Sequence, residues 1–187
     1  MALVALVSAD GIVTGIAGTS YINKVETTRK YNPVTHPEVV IDGKIIPEYV
    51  TYTVDNQVSS THLTGLTGHV GYRIDSIKGN ATEIAIYTEY NDNDSYVVGT
   101  QLGLSIPITS TYSCTTHLML GTGINGSDRF DEFGAKLGIE KRLSSNTSFI
   151  TQLILRTRQY NIDNTPIEIN NKSSHTVGLS IGLNFNL

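Results

Sequence analysis

The sequence predicts an all-β fold, an eight-stranded antiparallel up-and-down β-barrel that crosses a membrane. Three observations predict it. Residues 175–187 read HTVGLSIGLNFNL, placing Val177, Leu179, Ile181, Leu183, Phe185 and Leu187 on one face of a strand. The other face holds only small or polar residues: Thr176, Gly178, Ser180, Gly182, Asn184 and Asn186. A dyad repeat of about ten residues is what a transmembrane barrel strand requires. Secondly, the chain has no apolar run of the ~18 residues that a membrane helix needs. Its charged residues make up only 16%, below the ~25% of soluble domains. Thirdly, every second interval between strands is short, and the two longest intervals fall among the others.

The first strand falls on 11–23, with Ile12, Thr14, Ile16 and Ile22 on one face and Gly15, Ala17 and Thr19 on the other. Residues 24–56 follow as the longest non-strand region. They hold Pro33, Pro37 and Pro47 and, inside VVIDGKII, an Asp42-Gly43 pair. Asp-Gly between apolar runs signals a two-residue hairpin, so this loop is expected to carry a small hairpin above the barrel rim. The second strand, 59–74, turns Val70, Tyr72 and Ile74 outward and His69, Gly71 and Arg73 inward. The third, 82–90, sets Ile84, Ile86 and Tyr90 against Glu83, Ala85, Tyr87 and Glu89. After a polar loop at 91–95, the fourth (96–106) sets Val98, Leu102, Leu104 and Ile106 against Gly99, Gln101, Gly103 and Ser105.

The fifth strand, 111–124, turns Tyr112, Cys114, Leu118 and Leu120 outward and His117, Met119 and Gly121 inward. A loop is expected at 125–131. The sixth, 132–143, points Phe133, Ala135, Leu137 and Ile139 out and Lys136, Gly138, Glu140 and Arg142 in. The seventh, 147–160, points Phe149, Leu153 and Leu155 out and Gln152, Arg156 and Arg158 in. A polar loop, 161–174, leads to the last strand. The turns at 75–81, 107–110 and 144–146 are short and lie at one end. The longest loops, 24–56 and 161–174, lie at the other. Short periplasmic turns opposite longer external loops, with an even strand number, fit a barrel of the outer-membrane type.

At 187 residues, the chain fits one barrel domain, expected over 10–187. Residues 1–9, MALVALVSA, resemble the end of a secretory signal with a small-x-small cleavage site. They are expected to be a signal-peptide remnant, the alternative being the start of the first strand.

Two motifs carry a resemblance. Ser180-x-Gly182-x-x-Phe185-x-Leu187 is similar to the C-terminal signal by which bacterial outer-membrane barrels are recognised for assembly. Residues 137–148, LGIEKRLSSNTS, resemble the OmpA, OmpX and opacity-type superfamily of small barrels, where a Gly-x-Glu strand end, a short Asn-containing turn and a new strand recur. The match departs at Lys141, where an aromatic is usual, and at the terminal Leu187 in place of Phe. The resemblance implies a bacterial outer-membrane location, with outer-membrane lipid, lipopolysaccharide and the barrel-assembly machinery as partners. Host or surface ligands would be met through the external loops.

The inward face is expected to carry a charge network of Arg73, Glu83, Glu89, Lys136, Glu140, Arg142, Arg156 and Arg158. An eight-stranded barrel is just wide enough for side chains to fill, and enclosed charges must pair. The structural reading is an ion-paired plug, and the alternative is a narrow porin-like pore. Tyr72, Tyr90, Tyr96, Tyr112 and Tyr160 lie near strand ends and fit interfacial girdles, with carbohydrate stacking as the alternative.

His36, His62, His69, His117 and His175 supply no metal-ligand spacing. Ser173-Ser174-His175 is the closest local approach to a nucleophile and base. No catalytic residue, metal site or cofactor is therefore expected. Cys114 reads as a small outward apolar residue. A net charge of −4 argues against a nucleic-acid partner. The expected role is that of a non-enzymatic outer-membrane barrel whose external loops serve surface interaction or adhesion. The alternatives are a solute pore, a lipid-modifying enzyme, and a soluble lipocalin-like barrel with its apolar face turned inward.

Overall fold

The computed structural model describes residues 11–76, 79–161 and 169–187. Ten strands follow in order: β1 (Gly11–His36), β2 (Val39–Ile41), β3 (Lys44–Ile46), β4 (Tyr49–Asp75), β5 (Ala81–Asn91), β6 (Ser95–Pro107), β7 (Tyr112–Asn125), β8 (Asp128–Arg142), β9 (Thr147–Asn161) and β10 (Ile169–Asn186). Eight of them close a barrel in the order β1-β10-β9-β8-β7-β6-β5-β4, with β4 paired back onto β1, while β2 and β3 form a separate two-stranded sheet. Every pairing is antiparallel. Closure leaves no unpaired edge around the barrel wall, the condition for β-structure in lipid.

The alternation written in the sequence becomes two surfaces. Outward, Ile86, Leu102, Leu118, Phe133, Leu137 and Ile181 are each 50–59% exposed, an apolar belt that the other described residues leave uncovered. Inward, the polar and small residues are shielded, and β5 alternates buried and exposed at every position. The inversion is physical: in water the belt would have to be covered, so its natural solvent is lipid.

The three short turns close one end of the barrel. Gly79, with φ of 82°, donates its N–H to Ser76 O at 2.8 Å in the turn between β4 and β5. Ile108 N–H bonds Tyr112 O at 2.8 Å after Pro107, and Leu143 N–H bonds Thr147 O at 2.9 Å. The C-terminal Leu187 is tied to this end by its N–H to Ile12 O at 2.8 Å.

The opposite end differs from expectation. Residues 24–56 are not a loop: β1 and β4 continue through them as one ribbon, in register from Gly11↔Arg73 to Tyr31↔Thr53 and on to His36↔Tyr49. The run of β-branched and tyrosine residues in YVTYTV and VETTRKY favours strand. The prolines that read as loop markers sit where strands tolerate them. Pro33 lies in the register shift between Tyr31 and Val34, beside Asn32 with φ of 52°, and Pro37 and Pro47 bound the tip. The tip hairpin expected at Asp42-Gly43 is present, with φ of 50° and 75°, the left-handed pair of a two-residue turn.

The loop expected over 125–131 shrinks to Gly126 and Ser127, because Asn125 pairs with Asp128 and Phe130 must reach the lumen. The loop expected over 161–174 is shorter as well. Strand β10 begins at Ile169 and pairs with β1 up to Lys30, so Ser173, Ser174 and His175 belong to a strand. Residues 162–168 and the expected signal remnant at 1–9 lie outside the described residues.

Candidate functional site

The lumen is built by parity. Successive side chains alternate faces, so Arg156 and Arg158 on β9 point inward together, as do Glu83, Tyr87 and Glu89 on β5. Closure brings those strands face to face across the barrel. Arg156 meets Glu89 through both guanidinium nitrogens, Nη2 to Oε1 at 2.8 Å and Nη1 to Oε2 at 2.9 Å. Arg158 Nε donates to Glu132 Oε2 at 2.6 Å, and Arg156 Nη1 stands 3.5 Å from the same oxygen. The result is a four-membered knot in which each carboxylate serves both arginines. Tyr87 Oη donates to Glu132 Oε1 at 3.0 Å, and Tyr21 Oη and Thr67 Oγ1 donate to Glu89 at 3.3 and 3.2 Å. The rings also lie under the cations, with Arg156 4.5 Å from the Tyr21 centroid and Arg158 4.6 Å from that of Phe130.

An apolar cluster of Tyr87, Val97, Met119, Phe130 and Tyr160 is buried beside this knot. Tyr160 was expected in an interfacial girdle. It is instead 4% exposed and packs against Phe130 with ring centroids 5.3 Å apart and planes tilted by 52°. Its parity with Arg156 and Arg158 sends it inward. Tyr72, Tyr90, Tyr96 and Tyr112 do face outward.

Towards the short turns, Lys136 Nζ donates to Gln101 Oε1 at 3.4 Å and Gln101 Nε2 to Glu83 Oε1 at 3.0 Å. His69 and His117 flank that oxygen at 3.9 and 4.0 Å, and Gln152 holds the His117 ring by a 3.0 Å bond to Nδ1. Arg73 pairs with Asp75 at 2.9 Å and with Glu140 at 3.5 Å near the mouth. Arg142 lies outside the buried knot. It is exposed at the rim of a roughly 50 Å³ hollow that Arg73, Glu140 and Asn186 also line. Its place at the end of β8 carries it past the turn end of the lumen into an exposed position.

Sequence reasoning omitted Glu132 from the charge set, although it lies four residues before Lys136 and so has the same parity. With it, the buried charges are Lys136, Arg156 and Arg158 against Glu83, Glu89, Glu132 and Glu140, with Arg73 and its partner Asp75 half-buried at the mouth. Glycines let this packing close. A Cβ on Gly121 would lie 2.6 Å from Tyr87 Oη, and one on Gly103 2.6 Å from His117 Cδ2. The voids between layers are about 10 and 20 Å³, room for roughly one water each.

No group of three or more metal-ligating side chains able to hold an ion occurs among the described residues. Outside the lumen, Ser20 Oγ and His62 Nε2 lie 3.0 Å apart on the outer wall, a pairing that their separation of 42 positions hides. No carboxylate bonds the other ring nitrogen among the described residues, so the third member that orients a catalytic base is missing. Ser174 is buried and His175 faces out to Thr157 Oγ1 at 3.1 Å, so the local Ser-His grouping is split across the wall.

In the C-terminal motif Ser180 is buried against the lumen, Gly182 and Phe185 are half-buried, and Leu187 is exposed at the chain end. A Cβ on Gly182 would meet Ala17 Cβ at 2.5 Å, so the close β1–β10 seam needs glycine there.

No family model matches the chain, and no curated protein matches it. Among solved structures, the chain is similar to Neisserial surface protein A at 14% identity, covering 90% of this chain and 97% of that one with a TM-score of 0.44. It is also similar to the secretin-domain β-barrel of InvG from the Salmonella SPI-1 injectisome, at 10% identity over 96% of this chain and 63% of that one, with a TM-score of 0.19.

Proposed function

We propose that the chain is a non-enzymatic outer-membrane β-barrel of a Gram-negative-type cell whose work is done by what it holds outside the membrane. The barrel is an anchor. Its lumen is filled by paired charges and a buried apolar cluster, which favours a structural plug over a solute path. The C-terminal motif Ser180, Gly182, Phe185 and Leu187 serves the assembly machinery, and the outer belt meets lipid and lipopolysaccharide.

The observation that carries this reading is the β1–β4 ribbon, which runs on beyond the last β4–β5 pair at Gly65↔Asn91, is backed by β10 as far as Lys30↔Ile169, and ends in an exposed apolar tip. Val40, Ile41 and Ile45 at that tip are 55–66% exposed. Beyond Lys30 the ribbon is two-stranded, which in water is marginal by itself, and a large exposed apolar patch marks an interaction site. The arm therefore reads as an adhesive element. The test replaces residues 27–57 by Asn-Gly, joining the paired Glu26 and Val58 through a two-residue turn. Cells displaying the trimmed barrel should lose adherence to epithelial monolayers and matrix-coated surfaces while the barrel stays folded. Unchanged adherence would overturn the reading.

A further inference from the structure

Strand β4 has two edges, and above the barrel only one is used. From Tyr49 to Thr64 it pairs with β1 alone, because pairing with β5 starts at Gly65↔Asn91. Thr64 identifies which groups face the open side. Its carbonyl accepts from Asp92 N at 3.0 Å and its N–H donates to Asp92 Oδ2 at 3.1 Å, both on the β5 side. The register against β1 is unbroken from Arg73 up to Thr53. The backbone groups of Val54, Asn56, Val58, Ser60 and His62 therefore point to the open edge too, without partners among the described residues. Residues 50–62 contain no proline and one charged residue, Asp55. Natural edges are usually blunted by lysine, proline or bulges, and this one is not.

We propose that this edge binds the same edge of a second copy, antiparallel, about a two-fold axis at Asn56, and that the two barrels lie in opposing membranes. This deepens the adhesive reading above and rests on it. Several features favour a second copy. Asn56 is the midpoint of the open edge, so this register uses all of it. Asn56 faces its own counterpart as a hydrogen-bonded pair, as the parity requires. Val54 faces Val58 of the second copy, and Asp55 faces Gln57 of the second copy, so no like charges meet. In one's own chain Gln57 already donates to Asp55 at 3.0 Å, a bond of the kind the pair would repeat. Centring on Asp55 instead would set two carboxylates face to face, which is unfavourable.

Orientation follows from symmetry. Copies in one membrane run their β4 strands the same way, which excludes this two-fold pairing. A perpendicular two-fold inverts the second barrel. At about 3.4 Å per residue, Asn56 stands ~30 Å above Gly65, so two rims would face each other across a ~60 Å gap.

The test uses the full chain refolded into phosphatidylcholine vesicles. Wild-type vesicles should cluster, as read by light scattering. Asn56→Pro removes one edge-facing N–H per copy and leaves the β1 ladder intact, and it should weaken clustering roughly tenfold or more. Vesicles bearing Val54→Lys with Val58→Lys should not cluster, nor should those bearing Val54→Glu with Val58→Glu, but the mixture should. Each variant is checked for a folded barrel by its heat-dependent gel mobility. Absence of wild-type clustering, clustering unaffected by Asn56→Pro, or failure of the mixture to rescue would each overturn the proposal. If wild-type vesicles stay dispersed yet bind epithelial or matrix surfaces through the arm, homophilic pairing falls and the adhesive reading stands.

Discussion

Arg158 Nε lies 2.6 Å from Glu132 Oε2, with both side chains shut off from solvent in the middle of the barrel. The pair is shared, because Glu132 also faces Arg156 and accepts from Tyr87. A charge so placed cannot lose its partner cheaply. Glu132→Ala leaves two guanidinium groups competing for Glu89 and should destabilise the barrel by about 3–5 kcal/mol. Urea unfolding in detergent micelles reads this as a lowered midpoint. Joint replacement of Glu132 and Arg158 by methionine should cost less than the sum of the single changes. Strict additivity would remove the coupling claimed for the knot.

Gly121 is the space into which the Tyr87 hydroxyl fits. Gly121→Val should displace that ring, lengthen its bond to Glu132 and cost about 1–3 kcal/mol. Tyr87→Phe in the same chain should recover part of the loss, since the clashing oxygen is gone. An unfolding midpoint equal to wild type for Gly121→Val would show the lumen to be looser than described.

The plug makes an electrical prediction. In planar bilayers the wild-type chain should give no steady unitary conductance, because the lumen voids of about 10 and 20 Å³ do not amount to a path. Glu89→Ala with Arg156→Ala removes a bidentate pair of net zero charge and should be the first change to admit ions. Steady wild-type channels altered by Arg156→Ala would instead support the porin-like alternative.

Much of this was legible in the sequence. Period-two alternation placed Ile86, Leu118 and Leu179 outward and Glu83, Gln101 and Arg156 inward, because in a closed sheet parity alone decides the face. The short turns were legible too, since Pro107 and the Ser144-Ser145-Asn146 stretch break the repeat locally. The arm was not, because charged residues such as Arg29 and Lys30 on both faces erase the alternation once a ribbon leaves the wall. Propensity in YVTYTV and VETTRKY and the Asp42-Gly43 turn remained as the signals there. Partner choice was equally hidden: Ser20–His62 on the outer wall and Arg156–Glu89 in the lumen join residues 42 and 67 positions apart. Glu132 could have been recovered by carrying the parity of Lys136 back two repeats of the pleat, and Tyr160 by carrying that of Arg158 forward one.

The outer belt predicts a depth-dependent cost of charge. Ile86→Arg, midway along β5, should destabilise the membrane-inserted barrel by about 2–4 kcal/mol, and Tyr90→Arg near the rim by about 0–1 kcal/mol. Equal costs at both depths would mean that lipid does not set the environment of this face.

The most direct test of a closed barrel with its apolar face in lipid is electrophoretic mobility in SDS of the outer-membrane fraction, unboiled against boiled. A closed, fully paired wall predicts recovery in that fraction and a band that resists SDS cold and shifts only on boiling. Recovery in the soluble fraction with a single, temperature-independent band would contradict it, and would turn the same apolar residues into the lining of an internal cavity.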